Sequence, residues 1–91
     1  MILIHSIIMS IMNQQELLNR ITFNPKTLRG KPVILGLRIS VEMILELLGK
    51  GATTEEILED YPELEPLDIQ AACFYAYSLV SQEEIIERVA N

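Results

Sequence analysis

The chain has 91 residues, of which 49% are hydrophobic, and a formal net charge of −6. A chain of this length forms a single domain that buries only part of its apolar surface, so this composition favours a homodimer or another protein partner. The negative charge argues against a general nucleic-acid coat protein and against binding to an anionic membrane. The single cysteine excludes an intramolecular disulfide and fits a reducing cytoplasm.

Charge is divided unevenly along the chain. Residues 1–41 carry five basic side chains and one acidic one, whereas residues 42–91 carry two basic and twelve acidic ones. The two parts therefore have net charges of +4 and −10. This division predicts a cationic patch that faces one partner and an acidic helical part that repels phosphate.

The sequence predicts an N-terminal extension or helix over residues 1–19 and one domain over residues 20–91. Residues 1–12, MILIHSIIMSIM, are apolar but too few to span a bilayer, and they lack the basic n-region of a signal peptide. Two interpretations stay open: an amphipathic helix that packs on a partner, or an extension that precedes a start at Met9 or Met12.

Short β segments are predicted at Ile21–Phe23 and Val33–Leu35, with a third candidate at Arg38–Ile39. Proline lacks a backbone donor, so Pro25 and Pro32 restrict these strands to a short ribbon. Helices follow. Ser40 is the predicted cap of a helix from Val41 to about Leu48. A capping box of Thr53 and Glu56 starts the next helix, which ends at Tyr61-Pro62.

A third helix is predicted to open at Pro66 and to run over Leu67–Val80, with Cys73 as a small core residue on its apolar face. A separate final helix, Gln82–Val89, is predicted after a cap at Ser81. The fold class is therefore mainly α, with a homeodomain-like trihelical helix-turn-helix core, a short N-terminal β ribbon and a C-terminal helix. The third helix contains no Lys or Arg, so a reader of the major groove is not evident.

Two sets of side chains are candidates for binding. Basic residues gather around a Gly-Pro turn, where they can meet phosphate oxygens or the carboxylates of a partner: Lys26, Arg29, Lys31 and Arg38. The alternative is that they only keep edge strands soluble. Aromatic and aliphatic residues of the last helices form a candidate dimer or partner interface: Phe74, Tyr77, Ile85 and Ile86.

Catalytic chemistry is not predicted. His5 is the only histidine, the phosphate-loop pattern is missing, and the acidic run from Glu55 to Glu65 is interpreted as a solvated surface. The expectation is a non-enzyme with no metal and no cofactor.

One stretch of sequence resembles a known family. The pattern G-K-P-x-I-x-G-x-R-I over Gly30–Ile39, together with Arg20-Ile21, Glu55–Pro62 and Asp68-Ile69, resembles the bacterial and archaeal domain-of-unknown-function family numbered 433. The resemblance covers about Arg20 to Leu79. It implies a homeodomain-like module, often paired with a nuclease-like toxin of the PIN type. The chain departs from the pattern at Leu37, often Thr, and at Glu65-Pro66-Leu67, where a helix start more usually contains Thr.

The leading hypothesis is an antitoxin-like, cytoplasmic, homodimeric module that binds a PIN-type nuclease toxin, with its own operator DNA as a further candidate ligand. Two alternatives stay open: an autonomous DNA-binding transcriptional regulator, and a protein-interaction module without DNA binding. In the leading hypothesis Arg29, Lys31 and Arg38 face an acidic surface or catalytic pocket of the toxin.

Overall fold

The computed structural model describes residues 13–23, 26 and 30–90, with side chains described as far as Ser81. Helix α1 is seen at residues 13–18. Strands β1 (Ile21–Phe23) and β2 (Pro32–Ile34) follow, then helices α2 (Val41–Gly49), α3 (Thr54–Asp60) and α4 (Pro66–Ala90). The described part of the chain is mainly helical, as predicted. The alternatives for residues 1–12 and the side chains of Ile85 and Ile86 lie outside the described parts.

The two strands form an antiparallel ribbon in which Ile21 pairs with Ile34 and Phe23 with Pro32. The chain then turns back at once: the N–H of Ile34 donates to the carbonyl of Ile39 over 2.9 Å, and Val33 bridges Ser40. We call residues 32–40 the motif hairpin. A third strand at Arg38–Ile39 is reduced to this single bridge. Gly36 lies in the hairpin turn with φ +82°, a conformation that glycine adopts without steric cost.

Helices α2 and α3 begin where their capping residues predict. The Ser40 hydroxyl accepts the N–H of Met43 at the start of α2. At α3 the Thr53 hydroxyl accepts the N–H of Glu56, and the Glu56 carboxylate accepts the N–H of Thr53 in return. These bonds satisfy donors that the first helical turn leaves without backbone partners. The sequence prediction of both starts is confirmed.

Helix α4 is one continuous helix, so the prediction of a separate final helix, Gln82–Val89, is wrong. No glycine or proline interrupts the chain around Ser81, and a helix that continues through this residue needs no cap there. The helix does begin at Pro66 as predicted.

The core lies between the motif hairpin and helices α2, α3 and α4. The three helices contact one another, and β2 contacts α2. Its buried residues form one cluster: Ile34, Ile39, Val41, Ile44, Ile57, Leu64, Ile69 and Ala72. Leu17 of α1 is also buried, so part of the predicted N-terminal extension contributes to the interior. Cys73 is exposed, which corrects its assignment to the core. Ala71 and Ala72 face the interior, and Cys73 comes one helical step, about 100°, further round α4.

Candidate functional site

The turn of the motif hairpin is exposed to solvent, whereas the residues on either side of the turn pack in the core. Ile34 and Ile39 are buried on either side of the turn, and Leu37 donates its N–H to the carbonyl of Ile34 over 3.0 Å. Between them, the side chains of Leu35 and Arg38 are exposed. The x-G-x-R portion of the motif, residues 35–38, therefore forms an anchored tip with one exposed leucine and one exposed arginine. We call residues 35–38 the hairpin tip.

Two grooves border the hairpin tip. The larger, with a volume of about 380 Å³, lies between Leu35 and Leu37 on one side and Glu65 and Asp68 at the start of α4 on the other. The smaller, about 300 Å³, is lined by Arg38 and Tyr61 among others. Leu37 and Glu63 line both grooves, so the hairpin tip stands between them. Here a turn that backbone hydrogen bonds hold in place meets concave surface.

An ion-pair network fixes the position of α4 beside the tip. The Nη1 atom of Arg20 lies 2.9 Å from Glu65 Oε1 and 3.0 Å from Asp68 Oδ1. The other oxygen of the Asp68 carboxylate accepts the N–H of Glu65 over 2.8 Å, which caps the first turn of α4. The hydrogen bonds that Arg20 donates to Glu65 and then to Asp68 raise the pKa of Arg20 above its ordinary value. The Arg20 Nε has no partner among the described residues.

Arg20 also positions the hairpin through its backbone. Its carbonyl accepts the N–H of Leu35 over 2.8 Å, which extends the β ribbon by one bond. The same residue thus binds the hairpin tip with its main chain and the start of α4 with its side chain. Arg20 therefore positions the hairpin tip relative to the start of α4, and these two parts line the larger groove.

The four predicted cations are not all alike in the structure. Lys31 Nζ lies 2.7 Å from Glu42 Oε1, an exposed pair whose contribution to stability is below about 1 kcal/mol. Arg38 is exposed at the hairpin tip, and Lys26 is exposed and makes an interaction of its own. The hairpin register separates Lys31 from the tip by four residues, about 13 Å along an extended strand. Arg29 lies outside the described residues.

The predicted interface residues also differ from one another. Tyr77 is 64% exposed, whereas Phe74 is half-buried and its ring centroid lies 6.0 Å from that of Tyr77. Tyr75 packs against the core cluster and contacts Phe23 with ring centroids 6.1 Å apart. The acidic residues of the predicted solvated run are exposed as expected: Glu55, Glu56, Glu59, Asp60, Glu63 and Glu65. Asp68, in contrast, is buried and engaged in capping α4.

Sequence reasoning missed two features of this site. The sequence pattern places Leu35 in the predicted strand Val33–Leu35, whereas the structure places it in the turn and exposed. Its position directly before Gly36 is the local signal for this exposure. The Arg20–Asp68 contact had no local signal, because the two residues are 48 positions apart. Among the described residues, no group of three or more His, Cys, Asp or Glu side chains is arranged to hold a metal ion. None of the described helices combines the length and the apolar character needed to cross a membrane.

The comparisons with known proteins agree with the sequence pattern. A family model described as "Protein of unknown function (DUF433)" matches residues 21–76, and the chain belongs to this family. No curated protein matches the chain significantly. Among solved structures, the crystal structure of a DUF433 member protein from Anabaena variabilis is similar to this one, with 28% sequence identity and a TM-score of 0.61. The similarity covers 93% of this chain and 82% of the Anabaena protein.

Proposed function

We propose that this protein is a non-enzymatic, cytoplasmic, antitoxin-like module that binds a PIN-type nuclease toxin through the hairpin tip. The observation that carries the proposal is the exposure of Leu35 and Arg38 on a turn whose flanking residues, Ile34 and Ile39, are buried. A tip anchored in this way loses little conformational entropy when it binds. Arginine and an adjoining apolar side chain are also a common pairing at the centre of protein interfaces.

Arg38 would supply the charge of this interaction. Its planar guanidinium can bind a carboxylate through two hydrogen bonds, as an acidic nuclease pocket requires. Lys31 would have a secondary role, because its cation is already compensated by Glu42 over 2.7 Å and must exchange one carboxylate for another. Of the predicted cationic cluster, Arg38 is therefore the residue that we propose contributes most to toxin binding.

The test is co-purification and rescue of growth. The protein is expressed with the product of the neighbouring gene, and the variant Arg38→Glu is compared with Lys50→Glu. Lys50 is a suitable control because it is an exposed cation at the end of α2, paired with Glu46 rather than placed at the hairpin tip. Arg38→Glu should abolish co-purification and protection from the toxin, while Lys50→Glu should retain both. Equal retention by the two variants would contradict the role of the tip.

DNA binding is the second candidate function. It is supported by the mutual packing of α2, α3 and α4, from which we propose a homeodomain-like trihelical core. Against base reading by α4, none of its exposed positions near the start is a cation: Pro66, Leu67, Gln70 and Cys73. A mobility-shift assay with the upstream DNA of its own gene tests this candidate. Binding should be detectable at low salt, and it should weaken steeply with salt and in Arg38→Ala.

A protein-interaction module without DNA binding is the remaining alternative. It predicts that the partner binds and that no shift of DNA occurs at low salt, with or without the partner. The acidic surface formed by α3 and by Glu63 and Glu65 in the connection to α4 favours this alternative over a free-standing DNA regulator.

A further inference from the structure

The hairpin tip carries a charge that its own chain does not neutralise. Arg38 is exposed and forms no ion pair within the described part of the chain, although Glu63 lines the smaller groove with it. Leu35, 62% exposed, lies three residues earlier in the same turn. The tip therefore offers an apolar side chain and an unpaired cation on a backbone that hydrogen bonds already hold in place.

The larger groove carries the opposite charge. Its volume is about 380 Å³, and the charged residues that line it are four acids and one cation: Glu16, Glu63, Glu65, Asp68 and Arg20. Arg20 already binds Glu65 and Asp68. Glu16 and Glu63 are exposed and form no ion pair with any described residue. Two carboxylates of the groove are therefore left without a cation.

We propose that the hairpin tip of one copy of this chain docks into the larger groove of a second copy, and that the second copy docks in return. Arg38 of each copy would face Glu16 and Glu63 of the other copy, and Leu35 would pack against Leu37 of the other copy. The two contacts are the same contact related by a two-fold rotation, which is the closed arrangement of a homodimer.

The described surface meets the requirement of such a pair. A two-fold interface needs one patch that carries both the projecting group and its complement. Leu35 and Leu37 belong to the tip and also line the larger groove, whereas Glu63 lines both grooves and Arg38 lines the smaller one. The cation and the uncompensated carboxylates thus belong to one patch. Pairing would give each of them the opposite charge that it lacks in a single copy.

The size of the contact sets its strength. It is limited to one turn and one groove on each copy, so the dimer should be weak, with a dissociation constant on the order of 0.1 mM. Its ion pairs lie near solvent, where salt screens them. Association should therefore weaken as sodium chloride is added.

Pairing also bears on the proposed function, and this step alone rests on it. A hairpin tip that occupies the groove of a second copy is covered, so the toxin and the second copy would compete for Arg38. Glu63→Lys separates the two events: it should lose self-association but, because Arg38 is intact, still co-purify with the toxin. Arg38→Glu should lose both. If the wild type binds no toxin, only the competition fails, because self-association is measured on the purified chain alone.

Sedimentation equilibrium of the purified full chain, at concentrations up to about 0.5 mM, tests the pairing. The wild type should form dimers and no larger species. Arg38→Glu and Glu63→Lys should each weaken the dimer at least about tenfold, because two attractions per dimer become repulsions. A one-to-one mixture of the two variants should dimerise again. In the mixed pair the two substituted positions face each other with opposite charges, and the second contact is native.

Matched controls carry the same changes of charge away from the patch. Lys50→Glu and Glu59→Lys alter exposed residues that line neither groove, so each variant and their mixture should associate like the wild type. Glu16→Lys is a second groove variant, which should also be weakened and also be restored by Arg38→Glu. Far-UV circular dichroism verifies that each variant is folded.

Three results would overturn the proposal. The first is a wild type that remains monomeric at about 0.5 mM, above the expected dissociation constant. The second is a folded Glu63→Lys variant that dimerises as strongly as the wild type. The third is a mixture of folded Arg38→Glu and Glu63→Lys chains that associates no more strongly than either variant alone.

Discussion

Arg20 and Asp68 connect two parts of the chain that are 48 positions apart, through a 3.0 Å contact between Nη1 and Oδ1. The Asp68 side chain is only 7% exposed, and its second oxygen caps α4 at the N–H of Glu65. Removal of this carboxylate would leave the N–H of Glu65 without its acceptor and would leave Arg20 Nη1 with Glu65 alone. The contact therefore joins the β ribbon to the longest helix of the fold.

Asp68→Ala should destabilise the fold by about 2–3 kcal/mol, because it removes both a helix cap and a largely buried ion pair. Glu65→Ala is the matched control, since Glu65 binds the same Arg20 atom but is 68% exposed. Its cost should be below about 1 kcal/mol. Urea unfolding of both variants measures the difference. Equal losses in the two variants would show that burial of Asp68 does not matter.

The capping box at α3 offers a second test. Thr53→Ala removes the acceptor for the N–H of Glu56 and should lower the free energy of unfolding by about 1 kcal/mol. Thr53→Ser keeps the hydroxyl and should retain most of that stability. Thr54→Ala, next in the sequence and exposed, should change it by less than about 0.5 kcal/mol. Thermal or urea unfolding that does not separate Thr53→Ala from Thr54→Ala would contradict the role of the box.

Two glycines should respond in opposite directions to alanine. Gly36 has φ +82°, so Gly36→Ala should destabilise the fold by about 1–2 kcal/mol although nothing crowds the new methyl group. Gly49 is the last residue of α2 and also has open space around its Cα. Gly49→Ala should stabilise the fold by about 0.5–1 kcal/mol, since alanine favours the helix. A loss of stability in Gly49→Ala would be evidence against this assignment of the helix end.

The pKa of Glu56 lies below its ordinary value of 4.5, first because its carboxylate accepts the backbone N–H of Thr53 and second because of the Thr53 side chain. A carboxylate with a lowered pKa in the folded state stabilises the fold at neutral pH. This contribution is lost as the pH falls through the folded pKa. NMR titration should therefore place Glu56 below 4.5, and Glu56→Gln should lose stability at pH 7 but little in strong acid.

Glu46 is the comparison for that titration. Its pKa is lowered by the hydrogen bond and charge of Lys50 on the same helical face. Lys50→Ala should return the pKa of Glu46 to its ordinary range and leave that of Glu56 unchanged. High salt should likewise affect Glu46 more, because both members of its pair are exposed. A parallel response of the two glutamates would contradict the assigned causes.

The elements that the sequence predicted well are those with local determinants. Ser40, Thr53 and Pro66 start helices through contacts or geometry within a few residues, and all three predicted starts are confirmed. The Ile21–Phe23 strand is likewise confirmed. The break predicted at Ser81 shows the limit of such signals, because a capping residue does not end a helix in which backbone bonding can continue.

Contacts between distant parts of the chain were not predictable in this way. The sequence around Asp68 is typical of an exposed polar residue near a helix start, and no local signal indicates that Asp68 is buried in an ion pair with Arg20. The sequence predicts that Lys31 belongs to a cationic cluster. In the structure the motif hairpin instead places Lys31 beside Glu42, with which it forms an ion pair. The exposure of Cys73 depends on how α4 is rotated about its own axis against the core. Close packing of small residues such as Ala71 and Ala72 determines this rotation.

The unbroken course of α4 from Pro66 to Ala90 sets the angular phase of its far end. With 3.6 residues per turn, one residue inserted after Ser78 would rotate everything beyond it by about 100° and advance it by about 1.5 Å. Leu79 would then no longer be in line with Ala72. Insertions and deletions in natural relatives should therefore be tolerated in the loops between helices and be strongly disfavoured within α4.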